Sequence, residues 1–120
     1  MAMKILVPIP SEANGKKILP KLADLAKSLN AQVTLFHVCY GGVGAFSGEG
    51  TPETIKREEA KEQKFCETYM AKAAADLKEK GIKVNMVCVD GLPSRQIVGY
   101  AQNKGYDLVV MGAVDLDQMI

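Results

Sequence analysis

The chain has no excess of charge of either sign, no paired C-x-x-C spacing, no long apolar run and one histidine. Lys+Arg 15 against Asp+Glu 14 leaves a net charge of +1, with the basic residues interleaved with acids on helix faces, so there is no basic footprint for nucleic acid. Near the N-terminus, Lys4 is followed by a short apolar stretch broken at Pro8, too short for a signal segment, and no run approaches the length of a membrane span. A cytoplasmic chain with neither membrane nor nucleic-acid partner is expected. The three cysteines, Cys39, Cys66 and Cys88, are odd in number and widely spaced, which argues against a disulfide framework and against a zinc site. They are expected as reduced thiols buried like small apolar residues, with a redox role for Cys39 and Cys88 as the alternative if their strands are neighbours, and no metal site is expected. His37 lies mid-strand among apolar residues and reads as a satisfied core or edge histidine. No Ser-His-Asp or Cys-His set assembles, so no catalytic residue is expected.

What is present is alternation. Continuous apolar runs, the mark of strands covered on both faces, occur at Met3–Ile9, Gln32–Val38, Ile82–Val89 and Tyr106–Gly112. Between them Gly15–Asn30 carries a helical stripe of Ile18, Leu22, Leu25, Ala26 and Leu29. Pro52–Lys80 starts with Thr51 as N-cap and Pro52 at the first helical position. Its first half, Lys56–Lys64, reads as a solvated extension, and Cys66, Tyr69, Met70, Ala73 and Leu77 form its packing stripe. A third helix, Pro93–Lys104, turns Ile97, Val98 and Ala101 inward and closes at Gly105. The order β-α-β-α-β-α-β predicts an α/β fold with a doubly wound parallel sheet, because parallel neighbours need a crossover long enough for a helix. Residues 1–120 fit a single domain, and a chain of this size buries roughly two-thirds of its unfolded surface.

Ligands of such sheets bind beyond the strand carboxyl ends. The first strand runs into Pro8-Ile9-Pro10-Ser11, either a rigid turn or an apolar wall for a flat aromatic base. After the second strand, Gly41–Gly50 holds five glycines but fails G-x-G-x-x-G at Ser47 and reads as a linker or lid. Gly91 suits a tight turn, with Asp90 or Ser94 capping the helix that follows or, alternatively, an anion at that helix start.

Lys4-Ile5-Leu6-Val7-Pro8-Ile9, Val33–Val38, Gly91-Leu92-Pro93 with Ile97 and Ala101, and above all Asp107-Leu108-Val109-Val110-Met111-Gly112 resemble the universal stress protein family, in the right order over nearly the whole chain. The resemblance implies the family's adenine nucleotide alpha hydrolase-like doubly wound fold, with order 3-2-1-4 for these four strands. It further implies an adenine-nucleotide-binding or signalling module without strong catalysis. The base would lie against Pro8, Val38 and Met111, with Gly112 opening the phosphate loop. The family's acidic residue at the end of the first strand is replaced by Pro10. Its second loop glycine is replaced by Asp115, and the sequence ends at Ile120 before a later G-S or G-T pair and a fifth strand.

Asp115 and Asp117 would face phosphates with like charge, costing about a kcal/mol each at about 4 Å in water. The expectation is therefore a non-enzymatic stress-response module with weak or lost ATP or AMP binding. The alternative is a nucleotide sensor or weak ATP hydrolase using the cleft of Pro8, Pro10, Val38, Met111 and Gly112. Because the fourth strand becomes a sheet edge, a homodimer is expected through Leu108–Met111 or the tail 114–120, with a protein partner as the other route.

Overall fold

In the computed structural model, residues 2–39 and 51–112 are described. The glycine loop at Gly41–Gly50, the tail 114–120, Asp115 and Asp117 lie outside them. The elements run β1 (Lys4–Pro8), α1 (Glu12–Leu29), β2 (Gln32–Cys39), α2 (Pro52–Phe65), a π-helical turn (Cys66–Met70), α3 (Ala71–Glu79), β3 (Lys83–Asp90), α4 (Pro93–Asn103) and β4 (Leu108–Val109). All strand pairs are parallel, in the order β3-β2-β1-β4. This is the doubly wound α/β sheet expected from the alternation. Among the described residues no helix is long and apolar enough to cross a membrane.

Each face of the sheet has its own core. Alternate residues of the two central strands, Ile5, Val7, Val33 and Leu35, point to one side and meet Ile18, Leu22 and Ala26 of α1 with Met70, Ala73 and Leu77 of the π turn and α3. Their neighbours Leu6, Phe36 and Val38 point to the other side, under Ile97, Tyr100 and Ala101 of α4. Continuous burial is therefore confined to the middle strands. On β3 only Val84 is buried, and β4 exposes Leu108 and Val109, because an outer strand lacks a neighbour on one side. The reading of these two runs as fully buried strands is corrected accordingly.

Local chemistry explains the helix boundaries. Ser11 caps α1 by accepting a hydrogen bond from Asn14 N, so the helix starts before Gly15, and Asn30 closes it in the left-handed region at φ 50°. Leu29, at the end of the expected stripe, is exposed. Gly15 is buried where Tyr69 crosses α1, and a Cβ there would stand 2.2 Å from the tyrosine oxygen. Neither Asp90 nor Ser94 caps α4: Leu92 holds the cap position with no side-chain bond. Val98 is exposed, since the inward stripe runs Ile97, Tyr100, Ala101. Beyond α4 the chain is tied to β1: Lys4 N donates to Asp107 Oδ2 at 2.8 Å, Asp107 N donates to Lys4 O at 2.9 Å, and Tyr106 Oη donates to Thr34 Oγ1 at 2.7 Å.

The predicted helix Pro52–Lys80 is interrupted at Cys66–Met70 by one wide turn, whose extra residue re-phases the stripe. That turn carries Cys66 onto Cys88 of β3, and the two form a disulfide. The expectation of three reduced thiols is thus overturned for this pair; only Cys39 is free. Even-number and C-x-x-C rules describe local frameworks, whereas here two cysteines 22 positions apart are brought together by sheet and helix packing. Closing a loop of that length removes unfolded-state freedom equivalent to about 3 kcal/mol in the chain-entropy account.

Candidate functional site

The carboxyl ends of β1 and β2, with α4 on one side and α2 on the other, enclose a cavity of about 360 Å³. Its walls are Pro8, Ile9 and Pro10 after β1, Phe36, His37 and Val38 on β2, Glu62 of α2, Pro93 and Ile97 of α4, and Met111 beyond β4. The position follows from the topology: strand order reverses at β1, which has β2 on one side and β4 on the other, and α1 packs over one face of the sheet. α4 covers the opposite face, and the crevice opens at the strand carboxyl ends beside that switch point.

Four of the five sequence-predicted residues, Pro8, Pro10, Val38 and Met111, line this cavity. Gly112 is not among the lining residues. It lies against Asn14 at the start of α1, where a Cβ would come within 2.5 Å of the Asn14 amide nitrogen. The same amide's Oδ1 is buried and accepts no hydrogen bond among the described residues.

The polar part of the cavity is a buried histidine paired with a half-buried glutamate, Glu62, a contact that the sequence pattern does not reveal. His37 is 3% exposed, and its ring bridges two elements. Nδ1 donates to Ile9 O at 2.7 Å, and Nε2 meets the Glu62 carboxylate. The histidine is thus satisfied, as its apolar strand context suggested. Glu62, however, sits in the charge-dense stretch read as a solvated extension. The available signal was its spacing four residues before Cys66, which puts both on one helix face. Phe65 packs against His37 at a tilt of 44°, with ring centroids 4.5 Å apart. Phe36, Pro93 and Ile97 were read as structural, and they also wall the cavity.

On the sheet face next to this pair, His37 and Cys39 project from β2 two residues apart, Cys88 stands opposite His37 in the β2–β3 register, and Cys66 descends from the π turn. A His37 ring nitrogen and the Cys39 and Cys66 sulfurs all lie within 4.8 Å of one another. Burial, and then the carboxylates of Asp90 and Glu62, push the Cys39 thiol above its ordinary range.

An apolar crevice at the strand carboxyl ends of a parallel sheet wound on both faces is the ligand position of doubly wound α/β proteins. Comparison with known proteins makes the assignment specific: the universal stress protein family profile matches residues 1–119, and the chain belongs to that family. It is 30% identical to universal stress protein YxiE of Bacillus subtilis, over 94% of this chain and 80% of that protein. The structure of hypothetical protein MJ0577 superposes with a TM-score of 0.74 at 25% identity, covering 98% of this chain and 81% of the other. Two more distant structures share the fold. The Archaeoglobus fulgidus universal stress protein in complex with dAMP has TM-score 0.59 and 21% identity, covering 89% and 78% of the two chains. A universal stress protein in complex with cAMP has TM-score 0.58 and 18% identity, covering 96% and 75%.

Proposed function

We propose that this universal stress protein is a non-catalytic stress-response module that works by association with itself or a protein partner, and that its cleft admits an adenine base while holding phosphates weakly. One observation carries the reading. Among the described residues the cleft is walled by prolines and aliphatic side chains with Phe36, and the only ionisable groups that line it are His37 and Glu62, with no lysine or arginine. A flat base suits such a slot, because apolar walls reward its faces and two polar groups suffice to orient its edge. A polyphosphate does not suit it. At about 4 Å a carboxylate repels a phosphate charge by about 1 kcal/mol even in water, and Pro10 offers neither a backbone donor nor a polar side chain.

The relatives bound to dAMP and cAMP support the base-binding half of this reading, since both ligands carry adenine with a single phosphate. They also keep the alternative, a nucleotide sensor or weak ATP hydrolase, in the experiment. Calorimetry with adenosine, AMP and ATP separates the two. The proposal expects weak affinities within a few-fold of one another, because the phosphates add little. Sub-micromolar ATP binding, or turnover of ATP to ADP that stops when Val38 is replaced by a bulky residue, would favour the alternative.

A further inference from the structure

We propose that His37, Cys39, Cys66 and Cys88 form a binding site for a borderline-soft divalent cation such as Zn²⁺, and that reduction of the Cys66–Cys88 disulfide opens it. The four side chains come from three elements and share one side of the sheet. His37 and Cys39 alternate onto that face of β2, Cys88 is the cross-strand neighbour of His37, and Cys66 lies above them at the start of the π turn. A His37 nitrogen and two of the sulfurs already lie within 4.8 Å of one another. Around tetrahedral Zn²⁺, with Zn–S about 2.3 Å and Zn–N about 2.0 Å, neighbouring ligand atoms stand roughly 3.5–3.8 Å apart. Side-chain shifts of about an ångström would bring these three atoms to that spacing. Cys88, bonded to Cys66, starts at the same place.

The histidine is arranged as a metal-binding histidine needs. Its Nδ1–H is committed to Ile9 O at 2.7 Å, which leaves Nε2 as the ring nitrogen that a cation can reach. Nε2 meets the Glu62 carboxylate, a contact that holds a proton between them, and the cation takes Nε2 once that proton leaves and the carboxylate swings aside. His37 and Cys66 are buried and Cys39 and Cys88 partly so, a setting that shields thiolates from competing water. Three thiolates and a neutral imidazole bring a divalent cation to a net charge of −1, as in structural Cys3His sites.

The redox step uses a dithiol reductant. Its two thiols pass two electrons and two protons to the Cys66–Cys88 bond, leaving the reductant as a disulfide and the protein with two thiols. The cation then displaces the thiol protons of Cys39, Cys66 and Cys88, and the proton shared by His37 Nε2 and Glu62, to solvent.

The test uses the full chain, reduced with a phosphine, desalted without oxygen and titrated with Co²⁺. The reduced protein is expected to develop a thiolate-to-cobalt charge-transfer band with tetrahedral d–d absorption, saturating at one ion per chain and bleached by Zn²⁺. The oxidised protein should develop neither. Cys39→Ser leaves the disulfide pair intact, so its fold can be checked by circular dichroism, and it should weaken Co²⁺ binding by about tenfold or more. A folded, reduced protein without the charge-transfer band would overturn the proposal, as would a Cys39→Ser variant that binds Co²⁺ as tightly as the parent.

Discussion

Tyr69 and Tyr100 carry phenol groups into the two cores, and both are held above their ordinary value of 10.0. Burial is the main cause for each, with Glu12 adding to it at Tyr69 and the Tyr106 hydroxyl at Tyr100. A phenol raised in the folded state is neutral there while it is already ionised in the unfolded chain. The fold therefore binds more protons, and stability falls as pH climbs above 10.0. Ultraviolet titration should show a late tyrosinate phase that moves together with loss of circular dichroism, and Tyr100→Phe should remove part of that phase. Complete ionisation at the ordinary value, with the fold intact, would contradict the packing described for these rings. Gly15 makes a second point at this scale. Gly→Ala inside a helix ordinarily gains about 1 kcal/mol, yet a Cβ at Gly15 would collide with the Tyr69 hydroxyl. Overpacking costs about 1–3 kcal/mol, so Gly15→Ala should be neutral to destabilising in urea. In the background of Tyr69→Leu, which clears the hydroxyl, the same change should become stabilising.

Among the elements, β4 stands apart. It pairs with β1 through Leu108 and Val109 in register with Ile5 and Leu6, but its outer side meets nothing among the described residues, and Met111 just beyond it is 58% exposed. An apolar edge with free backbone groups is a template for another strand. Self-association through it predicts a dimer in sedimentation velocity at micromolar concentration, and Val109→Lys should shift that dimer to monomer without loss of helix signal. A wild-type chain that sediments as a monomer would contradict this role for the edge. The elements also show how far the sequence could be read. Strand positions followed from continuous apolar runs and helix positions from the 3.6-residue stripe, which is why β1, β2 and α1 fell close to where they were expected. Burial of the outer strands did not follow, because Val and Leu in β3 and β4 look like those of β2 until the order of strands is known. The π turn, and with it the Cys66–Cys88 contact, arises from one inserted residue that no stripe reports.

At the scale of the whole molecule, winding helices over both faces leaves a crevice at the strand carboxyl ends, and four of five expected site residues line it. They were legible because family motifs and strand ends coincide there. Glu62 was not, since a glutamate among lysines on an exposed helix looks solvated until α2 is laid beside His37. The placement of the base site in this crevice is tested most directly by amide chemical-shift mapping with adenosine on isotope-labelled protein. Perturbations gathered at Ile9, Val38, Ile97 and Met111 are the predicted result. Shifts confined to the opposite end of the sheet, near Gln32 and Lys83, would contradict it, as would none at saturating ligand.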